Sequence, residues 1–345
     1  MPRYEERFKR YLKDRSYQPV FFSGNALTVL KHFPDESIHF CMTSPPYWTQ
    51  REYHNGGVGL ESKYAQYLQN LLPIISEIKR VLKPTGSLWL NLGDTYQNKG
   101  LVGLPWRVAL AMIDEQKWTL RNDVIWNKIK GLDNRNDKLR NIHEYIFHFV
   151  KDPKCFYYNA DVIRSKPRKA VVKNGTIISA TGVTGVSYRR QIELSTSLSN
   201  KEKKAALQAL HDTLEQIAQG KLSDFRMVIR NQHRATHSTS EKLSGRAVEL
   251  LVKGFYILKY HPKGSKPGDV WDIIPEDTNR EDHYAAYPQD LCRVPILATC
   301  PPKGIVLDPF CGTGTTNYVA QHLARKSIGI DLSYEYIKLA RRRCR

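Results

Sequence analysis

The chain has 345 residues, enough for one large α/β domain with an inserted module or for two domains. Its 53 Lys and Arg outnumber 34 Asp and Glu, and the formal net charge of +19 favours a polyanionic partner such as nucleic acid. The six cysteines form no CxxC pair, which argues against a disulfide framework and a metal site. No run of about eighteen apolar residues occurs and residues 3–10 are strongly charged, so we expect no membrane span, no secretory signal and a cytoplasmic protein.

The first compact stretch, residues 19–162, predicts strands that alternate with helices. An apolar run at residues 37–42 predicts a strand, and apolar residues at helical spacing over residues 64–82 predict a long helix. A turn is expected at residues 83–86 from its Lys-Pro-Thr-Gly sequence. Further strands are predicted at residues 87–92, 124–126 and 145–150.

The rest of the chain divides into a polar, basic insert at residues 163–268 and a second α/β stretch at residues 269–345. The insert contains one clear helix from Lys201 to Gln219, with a capping box made by Ser199 and Glu202. The last stretch predicts a βαβ unit with strands at residues 304–307 and 327–330.

A glycine-rich turn follows the strand at residues 304–307. Residues 308–316 read Asp-Pro-Phe-Cys-Gly-Thr-Gly-Thr-Thr, so an acidic residue closes the strand and glycines open the next helix. Such a turn brings backbone against a nucleoside, and the third glycine of dinucleotide sites is missing. Asp331 ends the following strand, where a doubly wound sheet places the carboxylate that accepts hydrogen bonds from ribose hydroxyls. The pattern predicts a nucleoside site formed by Asp308 and Asp331.

A second loop, Thr43-Ser44-Pro45-Pro46-Tyr47-Trp48, directly follows the strand at residues 37–42. Two consecutive prolines lack N–H groups and fix φ, so their carbonyls are held as rigid acceptors. An exocyclic amine is a poor nucleophile, and acceptors on both of its N–H bonds favour the pyramidal nitrogen that attacks a methyl sulfonium. The Ser44 hydroxyl and the Pro45 carbonyl are the candidate acceptors, and Tyr47 is the candidate platform for a base flipped out of a duplex.

These two loops resemble the signature motifs of the DNA amino-methyltransferases that modify adenine N6 or cytosine N4. Residues 308–315 are similar to the family's DPFxGxGT cofactor loop, and residues 44–47 to its (S/D/N)PP(Y/F) catalytic motif. The resemblance implies an α/β fold with a Rossmann-like S-adenosylmethionine-dependent methyltransferase sheet. The catalytic motif precedes the cofactor motif, which is the circularly permuted order called the β group. Ser44 with a following Trp48 is more typical of cytosine-N4 enzymes, whereas adenine-N6 enzymes more often carry Asp first.

The resemblance also implies a role for individual residues, with S-adenosyl-L-methionine as the cofactor and no metal. The implied catalytic residues are Ser44, Pro45, Pro46 and Tyr47. Trp48 and Trp126 would line the base pocket, although Trp126 fits a packed core position equally well. The implied cofactor-binding residues are Asn25, Thr43, His283, Tyr287, Asp308, Pro309, Phe310, Gly312, Gly314, Thr315 and Asp331. Asn25 stands where the family usually has Asp, so it keeps an acceptor oxygen without the charge.

The insert at residues 163–268 is the candidate target-recognition module for double-stranded DNA. Its Lys and Arg side chains, interleaved with Ser, Thr and Asn, suit phosphate contacts and the reading of base edges. These basic residues are Arg189, Arg190, Lys201, Lys203, Lys204, Arg226, Arg230, His233, Arg234, Lys242 and Arg246. The basic segment at residues 1–18 is either an additional phosphate-binding arm or a frayed end. The family resemblance implies a restriction-modification role with a companion restriction endonuclease, and a monomer and a homodimer both fit the sequence.

Other functions fit the sequence less well. A C5-cytosine methyltransferase needs a cysteine nucleophile beside its proline, and no Pro-Cys dipeptide occurs. A nicotinamide-dependent oxidoreductase would carry GxGxxG near the start of its sheet. An RNA amino-methyltransferase and a non-enzymatic DNA-binding protein stay open as alternatives, and cofactor binding separates the enzyme from the latter.

Overall fold

The structure is a computed structural model that describes residues 2–49, 57–129, 136–231, 245–275 and 287–345. The chain divides into two compact units, Met1–Val162 with Gly268–Arg345 and Ile163–Pro267. No helix within the described ranges is both long and apolar enough to span a membrane.

Strands and helices alternate through most of the chain. The strands are β1 (Val20–Ser23), β2 (Ile38–Thr43), β3 (Leu82–Leu92), β4 (Tyr96–Gln97), β5 (Gly100–Leu101), β6 (Thr119–Asn127), β7 (His143–Val150), β8 (Val171–Lys173), β9 (Thr176–Ile178), β10 (Asp224–Ile229), β11 (Phe255–Tyr260), β12 (Val270–Asp272), β13 (Ile305–Asp308) and β14 (Lys326–Asp331). The α-helices are α1 (Pro2–Lys13), α2 (Ala26–Leu30), α3 (Tyr64–Val81), α4 (Leu104–Asp114), α5 (Gly185–Glu193), α6 (Asn200–Ala218), α7 (Arg246–Lys253), α8 (Gln289–Thr299), α9 (Thr315–His322) and α10 (Tyr334–Arg343).

The larger unit is built on an eight-stranded sheet with the order β1-β14-β13-β2-β3-β7-β6-β12. β7 is antiparallel to β3 and β6, and the other neighbouring strands are parallel. The chain runs from β13 to its neighbour β14 on one side, and from β2 to its neighbour β3 on the other. The strand order therefore reverses between β13 and β2, and open α/β sheets bind ligands beyond the carboxyl ends of the strands at such a point.

Helices cover both faces of this sheet. On one face, α3 buries Ile75 and Ile78 in the main hydrophobic core, together with Phe147 of β7. On the other face, α8 and α9 bury Ile296 and Val319 in a separate core. The α/β architecture predicted from the sequence is confirmed.

The basic N-terminal segment forms helix α1, which packs onto the sheet. Phe8 is fully buried, with its ring centroid 4.5 Å from that of Phe33. The Tyr11 hydroxyl accepts a hydrogen bond from the Ser327 amide at 2.8 Å, and the Lys326 ammonium donates to the Tyr11 carbonyl at 3.0 Å. The frayed-end alternative is therefore wrong, because aromatic side chains anchor this segment in the core.

The turn predicted at residues 83–86 is also wrong, because these residues lie inside the 11-residue strand β3. Ile38 pairs with Leu82 and Phe40 pairs with Ser87, so the register shifts and the intervening segment bulges out of the ladder. A Cβ on Gly86 would lie 2.9 Å from a backbone oxygen of this bulge, which explains the glycine.

The other predicted elements of the larger unit are confirmed, with bounds that differ by a few residues. The strand predicted at residues 124–126 is the end of the longer β6. The strand predicted at residues 87–92 is the second part of β3. The matches for the remaining predictions are β2, α3, β7, β13 and β14.

The smaller unit, Ile163–Pro267, has a core of its own. The Ser199 hydroxyl accepts from the Glu202 amide at 3.3 Å, and the Glu202 carboxylate accepts from the Ser199 amide at 2.7 Å, which confirms the predicted capping box and helix α6. Phe225 of the antiparallel β10–β11 pair and Leu210 of α6 are buried in this core.

One basic residue of this unit has a structural role. Arg230 donates to the Glu202 carboxylate at 2.9 Å and to the Ser197 carbonyl at 2.7 Å. These bonds brace β10 against the start of α6, so Arg230 is a poor candidate for DNA contact. His233, Arg234 and Lys242 lie outside the described residues.

Candidate active site

The loops that follow β2 and β13 meet at the reversal of strand order. Thr43 ends β2 and Asp308 ends β13. The Thr43 hydroxyl donates to Asp308 Oδ1 at 2.7 Å. The predicted catalytic and cofactor loops are thus joined by a buried hydrogen bond between residues far apart in sequence.

Asp308 is a hub of hydrogen bonds, and only 2% of it is exposed. Oδ1 accepts from Thr43 and from the Phe310 amide, and Oδ2 accepts from Thr316 at 2.6 Å and Tyr287 at 3.1 Å. Burial raises the pKa of Asp308 to about 6, against the opposing effect of these bonds. Since each oxygen already has two protein donors, Asp308 fixes the positions of the residues that donate to it.

A chain of hydroxyl groups runs from the catalytic loop to a buried carboxylate. The Ser44 hydroxyl donates to the Tyr47 hydroxyl at 3.0 Å, which donates to Glu144 Oε2 at 2.7 Å. Asn91 Nδ2 donates to the same carboxylate oxygen at 2.9 Å, and Lys128 pairs with Oε1. Burial, followed by the negative charge of Glu144, raises the pKa of Tyr47 well above its ordinary value. The Tyr47 phenol therefore stays protonated.

Strand direction places Glu144 in the site. It lies near the amino end of β7, directly across from Trp126 of β6, while the next residue Tyr145 pairs with Leu92 at the carboxyl end of β3. Because β7 is antiparallel to β3, its amino end lies at the edge where the parallel strands have their carboxyl ends.

The catalytic loop is held in place by packing on both sides. Pro45 is buried, and the Pro46 carbonyl accepts a hydrogen bond from the Tyr67 hydroxyl of α3 at 3.0 Å. A Cβ on Gly93 would lie 2.7 Å from Cε2 of Tyr47, so only glycine allows the tyrosine ring to lie at this position.

Both tryptophans predicted to line the base pocket are buried. Trp48 is 1% exposed, packs in the main core and donates from Nε1 to the Glu61 carbonyl at 2.6 Å. Trp126 is 4% exposed and donates to the Ile273 carbonyl at 2.8 Å. These positions favour packing roles. Lys128, whose ammonium lies 5.2 Å from the Trp126 ring centroid, is the neighbouring group that reaches the site.

Asp331 orders the glycine loop from the end of β14. Its Oδ2 accepts from the Gly312 amide at 2.8 Å and its Oδ1 from the Ser333 amide at 2.8 Å, while burial raises its pKa. Gly312 and Gly314 have φ values of 49° and 77°, the left-handed region that favours glycine. A Cβ on Gly314 would lie 2.9 Å from Cβ of Ala340, so this glycine also permits close packing of α10.

Two of the predicted cofactor-binding residues have other partners. Asn25 Oδ1 caps α2 by accepting from an amide of its first turn at 3.2 Å. The Thr315 hydroxyl accepts from Arg343 at 3.0 Å. Pro309 is buried beside Asp308, and His283 lies outside the described residues.

Sequence reasoning missed several residues of this site. They are Asn91, Lys128, Glu144 and Thr316. Asn91 and Glu144 are 1% and 8% exposed in strands that are otherwise largely apolar. Buried polar groups require partners, so an amide or a carboxylate inside such a strand was an available signal of a polar site.

Comparison with solved structures assigns the fold to the methyltransferases. PvuII DNA methyltransferase (cytosine-N4-specific) matches with a TM-score of 0.56 at 18% identity, over 95% of this chain and 86% of that one. A DNA modification methylase from Thermus thermophilus, solved in complex with S-adenosyl-L-methionine, matches with a TM-score of 0.50 at 20% identity, over 95% and 94% of the chains. The sheet is thus that of the S-adenosylmethionine-dependent DNA methyltransferases.

Sequence relatives and a family model define the family. The type II methyltransferase M.SfiI of Streptomyces fimbriatus is 28% identical over 92% of this chain and 89% of its own length. M.Cfr9I of Citrobacter freundii is 27% identical over 93% and 86%. The N6/N4 family model, described as DNA methylase, matches residues 38–342. The chain belongs to this DNA methylase family, and its cofactor is S-adenosyl-L-methionine.

Proposed function

We propose that the protein methylates N4 of cytosine in duplex DNA, as the modification enzyme of a type II restriction-modification system with a companion endonuclease. The observation that carries the choice of base is Ser44, which places a hydroxyl rather than a carboxylate first in the catalytic motif. Similarity to the enzyme named PvuII DNA methyltransferase (cytosine-N4-specific) and to enzymes named type II methyltransferases supports the proposal.

The catalytic loop provides two acceptors for the amine of the target base. Ser44 Oγ accepts one N–H, and the Pro45 carbonyl accepts the other. The Pro46 carbonyl already accepts from Tyr67, which supports the choice of Pro45 for this role. Two acceptors draw the amine nitrogen out of conjugation with the ring and expose its lone pair.

The glycine loop suits the methyl donor. Residues 308–314 and Asp331 would hold S-adenosylmethionine, with the left-handed backbone at Gly312 leaving room for close approach. The cofactor supplies an electrophilic methyl group on its sulfonium sulfur. Thr43, Tyr287 and Thr316 hold this loop in position through Asp308.

DNA binding is assigned to the smaller unit, Ile163–Pro267. Its surface Lys and Arg residues suit contact with phosphates, and the target base must leave the duplex because its amine cannot otherwise reach Ser44. Tyr47, whose ring is fixed against Gly93, is the stacking platform.

The experiment is to incubate the full chain with labelled S-adenosylmethionine and unmethylated plasmid, and to identify the labelled nucleoside by mass. We expect N4-methylcytosine, and plasmid modified in this way should resist the companion nuclease. Labelled N6-methyladenine would retain the mechanism and reject the assignment of the base. No label in DNA, with label in RNA or in neither, would reject the proposed function.

The variant Ser44→Ala tests the role of the hydroxyl. It should reduce methyl transfer by at least about 100-fold, since an interaction made in the transition state is lost, with the Kd for the cofactor unchanged. Ser37→Ala, which removes a hydroxyl bonded to the Pro34 carbonyl away from the loop, is the matched control.

A further inference from the structure

The hydroxyl chain from Ser44 to Glu144 ends on a buried carboxylate that does not contact the substrate amine in the proposed reaction. We propose that Glu144 is a positioning residue that fixes the direction of this hydrogen-bond chain and takes up the proton that the substrate amine releases. This inference rests on the proposed function and adds a route for the proton to it.

The direction of the chain follows from which groups can donate. A carboxylate is only an acceptor, so the Tyr47 hydroxyl must donate its single hydrogen to Glu144 Oε2 across 2.7 Å. The Tyr47 oxygen can then only accept from Ser44, across 3.0 Å. Ser44 thereby uses its hydrogen within the protein, and the remaining lone pairs of its oxygen are left to accept from the substrate.

The packing around Glu144 keeps this direction fixed. Asn91 donates to the same oxygen that receives Tyr47, so Oε2 is held by two donors. Lys128 occupies Oε1 and supplies the counter-charge. Glu144 is 8% exposed, so water competes little for these hydrogen bonds.

The same chain provides a balanced route for the proton. When the amine nitrogen bonds to the methyl carbon, the bond from that carbon to sulfur breaks, and the nitrogen is left with one proton too many. That proton moves to Ser44 Oγ as the Ser44 hydrogen moves to the Tyr47 oxygen and the Tyr47 hydrogen moves to Glu144. Ser44 and Tyr47 end neutral, as they began, and Glu144 ends as a carboxylic acid that later returns its proton to water.

The high pKa of Tyr47 agrees with this route, because a phenol that stays protonated passes a proton on without itself becoming an ion.

The test is single-turnover methylation of plasmid DNA with the full chain in excess and with saturating S-adenosylmethionine. E144Q keeps the shape of the side chain and removes its charge, and the rate should fall by at least about 100-fold. The Kd values for S-adenosylmethionine and DNA should stay unchanged. Glu61→Gln is the matched control, because Glu61 accepts the Gly59 amide in the neighbouring segment and is not part of the chain.

A double-mutant cycle separates action through Tyr47 from a merely structural effect. Y47F keeps the ring and breaks the chain at its hydroxyl, so adding E144Q to Y47F should change the rate by no more than about twofold. A full rate in E144Q, or equal losses from E144Q in both backgrounds, would overturn the proposal. If E144Q proves unstable, the single variant Y47F tests the proposal, since a full rate of methylation by Y47F excludes the proton route. Wild-type protein that labels no DNA rejects the proposed function instead, so the two failures are distinguishable.

Discussion

Asp308 makes the stability of the protein depend on pH in a direction opposite to that of a carboxyl whose pKa is lowered by folding. Burial raises its pKa from 3.8 to about 6. The folded state therefore binds this proton more tightly than the unfolded state does. The resulting stabilisation is complete below pH 3.8 and is lost as the pH rises through about 6. The gap between the two pKa values corresponds to a total of about 3 kcal/mol.

The variant Asp308→Asn isolates this effect, because it keeps the shape of the side chain and cannot ionise. When the pH rises from 5 to 8, loss of the Asp308 proton should lower the free energy of unfolding of the wild type by about 1.4 kcal/mol. Urea unfolding gives the free energy of unfolding of each protein at the two pH values. The change with pH in the wild type minus the change in the variant is the contribution of Asp308. All other titrating groups are shared and cancel. Parallel behaviour of the two proteins would refute a raised pKa at Asp308.

Two further substitutions test the packing of the site and of the N-terminal helix. Gly93→Ala should push the Tyr47 ring away and slow methyl transfer by about tenfold or more, because a small misplacement of a catalytic group slows the reaction strongly. The Kd for the cofactor should not change. A normal single-turnover rate would mean that the ring adapts freely. Tyr11→Phe leaves the buried Ser327 amide without its acceptor and should cost about 1–3 kcal/mol in chemical denaturation; an unchanged midpoint and slope would show that the hydrogen bond has no net value.

The sequence predicted the two loops well because each follows a short apolar strand and begins with residues that cannot continue it. The prolines after Thr43 and the glycines after Asp308 are local signals, and local signals are readable without the fold. The cap of α6 by Ser199 was predictable for the same reason.

The partners of Glu144 were not predictable from local signals. Its partners Tyr47 and Asn91 come from the loop after β2 and from β3, and they meet it only because β7 runs antiparallel to β3. The direction of a strand within a sheet is not encoded in its own residues. Trp48 illustrates a related limit. The sequence around an aromatic residue beside a catalytic motif does not tell whether its side chain faces a ligand or the core, and Trp48 is buried in the core.

Under the proposed function, the hydrogen bond between Thr43 and Asp308 links the sites of the two substrates. Asp308 also holds Tyr287 and Thr316, so movement in one loop strains contacts of the other. Binding of the methyl donor and binding of the flipped base would then depend on each other, and reciprocity would require that each ligand alter the other's binding constant by the same factor.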